Sequence, residues 1–122
     1  MQLRTWVKKF GAAWHGIWLG LQGERSFWVH LPVATAVVVA GFAFQVTNLE
    51  WCVLVFAIAL VIALEFMNSA VERLAKAITQ EQNEMVGAAL DLAAAAVLLS
   101  ACGAVVVGSI VFVPHVWSFL QK

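Results

Sequence analysis

The chain has 122 residues, 63% of them hydrophobic and 11% charged, with a formal net charge of zero when His is neutral. A soluble domain of this size cannot bury so much apolar surface, because small domains hide a limited share of their chain, so the long apolar runs need a bilayer as solvent. With no net charge there is no electrostatic argument for a nucleic-acid partner.

The first predicted element is an amphipathic helix over about 3–22. Trp6, Phe10, Ala13, Trp14, Ile17 and Leu21 recur at three- and four-residue spacing and make one face, while Arg4, Lys8, His15 and Gln22 fall opposite. Tryptophans on one side and cations on the other suit a membrane–water boundary; a partner protein is the alternative cover for such a face. Residues 1–24 interleave apolar and polar positions and show no continuous apolar stretch of a cleaved leader.

A first span is expected over about 27–46, with Pro32 in its first turns, where a missing backbone donor is tolerated. Its length matches the ~20 residues of helix that cross a bilayer core. Residues 46–50 then form a short turn without Lys or Arg. The second span, about 51–73, is wholly apolar from Trp51 to Leu64, carries Glu65 and Asn68, and ends near Glu72 and Arg73. A polar connection over 76–87 has its tip at 79–84. The third span, about 88–113, has Asp91 close to its start and Pro114 just past its end; Ala93 to Ala96, Gly103 and Gly108 make it narrow and suited to close helix packing.

The expected fold is therefore an all-α membrane protein, an N-terminal amphipathic surface helix plus three transmembrane helices, forming one domain over 1–122. Lys and Arg cluster before the first span and after the second, which puts the N-terminus and the loop 74–87 on the cytoplasmic side and the C-terminus outside. Cys52 and Cys102 lie in apolar runs and read as small buried hydrophobes rather than a disulfide or metal pair.

Glu65 stands out because Leu64 and Phe66 flank it, and a carboxylate in a membrane segment usually faces a bundle interior and has a function there. Glu65, Asn68 and Glu72 are spaced by three and four residues and share one helix face. Glu24 and Asp91 are expected at similar depth. Carboxylates at one level, with phosphate oxygens, are how Mg²⁺ is usually held; the deeper Glu65 is placed to act as a general base on a lipid hydroxyl. Glu72 beside Arg73 reads equally well as a solvated loop-end charge, a reading also open to the Glu81/Glu84 tip. The chain contains neither a G-x-x-x-x-G-K-[ST] phosphate loop nor a protein-kinase signature set.

The run Leu64-Glu65-Phe66-Met67-Asn68-Ser69-Ala70-Val71-Glu72 resembles the Glu-x-x-Asn-[Ser/Thr]-Ala-[Ile/Val]-Glu signature of prokaryotic diacylglycerol and undecaprenol kinases. Phe10-Gly11 with Trp14 and Gly16, Gly23 to Phe27, and Asp91 to Val97 resemble that family's surface-helix, Glu-x-x-Phe and third-span motifs. The resemblance implies a homotrimeric lipid kinase of the bacterial cytoplasmic membrane, with composite sites and MgATP as phosphate donor. It implies Glu65 as catalytic base, Glu24 and Glu72 as metal ligands, and Glu81, Asn83 and Asp91 beside the nucleotide. Asn68 and Ala94 would line the site, with Trp14, Gly16 and Phe27 near the lipid entry. The lipid would be diacylglycerol or undecaprenol.

Departures from the family pattern are local. Leu90 stands where a Lys usually precedes the third-span aspartate, Lys76 where an Asp usually follows the second signature glutamate, and Asn83 where the loop usually has a His. Lys76 is expected to reach the phosphates in place of the missing lysine. The competing readings are a catalytically impaired paralogue with a structural or regulatory role, and an ion-conducting bundle. The second would want its acids near mid-membrane rather than at one interface.

Overall fold

The structure is a computed structural model that describes residues 2–23 and 27–122. Four helices follow in order: α1 (Gln2–Gly23), α2 (Phe27–Ala43), α3 (Asn48–Ile78) and α4 (Glu84–Leu120). α3 and α4 form an antiparallel pair packed along their length, whereas α2 and α1 touch α3 over short stretches. At 1.5 Å per residue, α3 and α4 are about 46 and 55 Å long, well beyond the ~30 Å of a bilayer core. Their most apolar windows are only 17% and 11% buried within the chain. The core helix of a soluble domain would be mostly covered, so these surfaces face lipid or another protein.

The small apolar core sits at the α2–α3 turn, where buried Val46, Leu54 and Val111 meet Val37, Phe44, Trp51, Val107 and Phe112. The turn begins earlier than expected: α2 ends at Ala43 instead of running to residue 46. Val46 N donates to Gly41 O (3.1 Å) and Gln45 N to Phe42 O (3.3 Å), with Gln45 left-handed at φ 54°. These are the paired bonds of a Schellman stop, closed by a glutamine where glycine is usual. At Gly41 the Trp51 ring lies so close that an added Cβ would sit 2.5 Å from it. Thr47 then caps α3 in a reciprocal box with Glu50, whose carboxylate accepts from Thr47 N at 2.9 Å.

Three further expectations change. The loop between α3 and α4 is shorter than 76–87, because α3 continues to Ile78 and puts Lys76 in its last turn. α4 runs through Pro114 to Leu120 rather than stopping before it. The proline removes one intrahelical donor, a loss that neighbouring packing can absorb in a membrane helix, and the next residue, His115, reaches Glu50 at 3.2 Å and so ties the final turns to the α2–α3 turn. Cys52 and Cys102 are free, but they are exposed rather than buried, since α3 and α4 are covered on one side only.

α1 forms the amphipathic helix expected, and its Trp6, Phe10 and Trp14 remain exposed. Its C-terminal end alone docks on α3. The Phe66 ring fits against Gly20, and Arg73 Nη2 donates to Leu19 O at 3.3 Å, placing a cation at the negative end of the helix.

Candidate active site at the loop end of the bundle

The residues expected to share a site fall into two neighbouring groups on α3. Glu65 is 4% exposed although it is a carboxylate on an apolar helix. Leu54, Val61, Glu65 and Ser69 are buried at seven- and four-residue spacing, so Glu65 lies on the inward stripe. Its carboxylate oxygen Oε1 is 2.7 Å from Nε2 of His30 on α2. An unpaired buried carboxylate is strongly disfavoured, and the imidazole supplies the partner. His30 belongs to none of the motifs in the sequence and was not among the expected site residues. The available signal was that an acid in an apolar helix needs a polar partner on a neighbouring helix.

Two turns further along α3, about 10 Å by helix rise, Glu72 accepts a hydrogen bond from Asn68 Nδ2 at 3.1 Å. Glu72 belongs to the wall of an open polar cavity of about 820 Å³ between the ends of α3 and α4. Lys76, Glu81, Asn83, Glu84 and Leu90 line the same cavity. Lys76, Asn83 and Leu90, the three positions that depart from the family pattern, thus face one space. Asn83 has a structural task as the N-cap of α4: its Oδ1 accepts from Met85 N at 3.0 Å and Val86 N at 3.2 Å. Asn68 Oδ1 and Ser69 Oγ are buried without a hydrogen-bond partner, next to the two groups.

Other expected site residues are not gathered here within one chain. Asp91 and Ala94 are exposed on α4 and do not line the cavity, and Trp14 is exposed on α1, with open space around Gly16. Glu24 and the side chain of Phe27 lie outside the described residues. Among the described residues no three His, Cys, Asp or Glu side chains converge as metal ligands. The donor chemistry nevertheless suits a hard cation carried in with phosphate, because Glu72, Glu81 and Glu84 offer carboxylate oxygens to the cavity. Beside His30 an apolar cleft of about 350 Å³ runs between α2, α3 and α4, lined by Val33, Val37, Val61, Ile62 and Val105 among others.

Residues 11–112 match the family described as prokaryotic diacylglycerol kinase. The chain is 33% identical over 113 residues to the undecaprenol kinase of Bacillus subtilis (strain 168), covering 93% of this chain and 92% of that protein. It is 32% identical over 112 residues to a diacylglycerol kinase of Synechocystis, covering 91% of this chain and 64% of the relative. To the diacylglycerol kinase of Escherichia coli (strain K12) it is 31% identical over 110 residues, 89% of each chain. With α2, α3 and the buried Glu65 wholly inside the matched region, together with most of α1 and α4, the chain belongs to the prokaryotic diacylglycerol kinase family of membrane lipid kinases.

Proposed function

We propose that this enzyme transfers the γ-phosphoryl group of ATP, taken as its Mg²⁺ complex, to the hydroxyl of diacylglycerol or undecaprenol, with Glu65 as the general base. The observation that carries the reading is the buried Glu65 carboxylate set between a polar cavity and an apolar cleft. His30 ends the cleft, so a hydrocarbon tail lying there presents its head to Glu65. The cavity takes the nucleotide, with Lys76 toward the phosphates, Glu81 and Asn83 around it, and Asp91 contributed from a neighbouring chain. Glu72, with Glu24, would hold Mg²⁺, which when bound offsets phosphate charge and orients the transferring group. Asn68 lines the path between the two groups. Such transfer needs positioning and charge neutralisation more than covalent chemistry.

The reading extends to the assembly. Its three membrane spans lie within α2, α3 and α4, over about 27–43, 51–73 and 88–113, with the N-terminus and the segment 74–87, which comprises two helix ends and the loop between them, on the cytoplasmic side. In a homotrimer the outward-facing Asp91 and Ala94 of one chain complete a site on the next, and Trp14, Gly16 and Phe27 border the lipid entry. The exposed apolar faces of α3 and α4 support it, since a single chain buries only four large apolar residues among those described. The test is transfer from labelled ATP·Mg²⁺ in mixed micelles offered both lipids. Glu65→Gln should lower the rate by about 10²–10⁴-fold, the usual worth of a positioned base; a Glu65→Gln enzyme with the wild-type rate would remove Glu65 from the chemistry.

A further inference from the structure

We infer that His30 is a positioning residue for this reaction: its imidazole donates Nε2–H to Oε1 of Glu65 and leaves the other carboxylate oxygen to meet the lipid hydroxyl. The inference rests on the reading of Glu65 as the base and adds a residue on a different helix. Three observations carry it. Nε2 and Oε1 are 2.7 Å apart, the length of a charge-assisted hydrogen bond. The Glu65 side chain is 5% exposed and the His30 side chain 25%, so the carboxylate is out of reach of water while its imidazole partner stands partly exposed. His30 also ends the apolar cleft, so the group that fixes the base stands at the place where a lipid head arrives.

A glutamate has three side-chain torsions, and a carboxylate free to turn would spend little time aimed at its substrate. Anchoring Oε1 from α2 fixes the direction of Oε2. During transfer the hydroxyl oxygen forms its bond to the γ-phosphorus. The bond from that phosphorus to the β–γ bridging oxygen breaks, and its electron pair leaves with the nucleoside diphosphate. The hydroxyl proton goes to Oε2 of Glu65, while the Nε2–H hydrogen bond to Oε1 persists throughout.

The test compares His30→Leu with His30→Gln, whose amide N–H can take the place of Nε2–H, using the full-length protein in mixed micelles. His30→Leu should lower kcat by about 10–100-fold with little change in KM for nucleotide or lipid, the scale of a base misplaced by about 1 Å. His30→Gln should recover most of the loss. In a Glu65→Gln background His30→Leu should cause no further loss, a result that a merely structural role would not produce. Wild-type kcat in His30→Leu, equal impairment of the Leu and Gln variants, or additive losses in the double variant would each overturn the inference. Because Glu65→Gln is measured alongside, failure of the base assignment is seen separately: that variant would then keep its activity whatever His30 does.

Discussion

Removing the Lys76 ammonium should weaken nucleotide binding far more than it slows the chemical step. Three carboxylates line the loop-end cavity, on Glu72, Glu81 and Glu84, and Lys76 is the sole cation among its lining residues. A nucleotide phosphate entering that space meets a predominantly acidic wall. A hydrogen bond to a charged group contributes about 1.5–3 kcal/mol, and because Lys76 is exposed solvent screening reduces this to about 1–2 kcal/mol. At about 1.4 kcal/mol per tenfold, Lys76→Ala should raise the nucleotide KM by about 5–30-fold while kcat changes less. The wild-type KM should rise with salt more steeply than that of the variant, since the lost contact is the screened one. Leu90 faces the same cavity, so Leu90→Lys added to Lys76→Ala should recover much of the affinity by returning the charge from the other helix. The assay is initial-rate phosphate transfer in mixed micelles at varied nucleotide and salt. An unchanged KM in Lys76→Ala would refute the assignment, and absence of recovery in the double variant would refute the exchange of charge between helices.

Three further outcomes follow from the opposite end of the bundle. Gly41→Ala pushes a Cβ against the Trp51 ring, itself packed at a tilt against Phe42 with centroids 4.9 Å apart, and should destabilise the protein by about 1–3 kcal/mol in thermal unfolding while sparing KM. Gln45→Gly relieves a non-glycine residue held at φ 54° and should raise stability by about 1 kcal/mol; a lower midpoint would count against the Schellman geometry. The Glu50 carboxyl is held below its ordinary 4.5, first by the hydrogen bond from the Thr47 backbone and further by the Thr47 hydroxyl and His115. A lowered folded-state value contributes stability that is present above the unfolded value and lost as pH falls through the folded one. Unfolding midpoints measured from pH ~5 downward should therefore fall faster for wild type than for Glu50→Gln, and parallel curves would show that the pair adds nothing.

Much of the fold was legible in the chain because its signals are local. Apolar runs of bilayer length, a Trp-lined amphipathic segment and the spacing of Glu65, Asn68 and Glu72 all follow from composition and helical period, and the structure has helices where they were expected. The capping box of Thr47 and Glu50 is legible as well, as a T-x-x-E pattern before an apolar run, and it starts α3 inside the stretch expected to be a turn. Helix ends were less legible. Gln45 takes a left-handed turn that its side chain does not advertise, and α4 continues through Pro114 although proline usually breaks a helix. What only the tertiary structure decided is which side chains meet: His30 with Glu65, Glu50 with His115, and Lys76 with Leu90 across one cavity. Each pair joins two helices, and its formation depends on the rotation of each helix about its axis and its slide along its neighbour. Those quantities are set by packing summed over whole helix faces, whereas sequence periodicity describes each face only by itself.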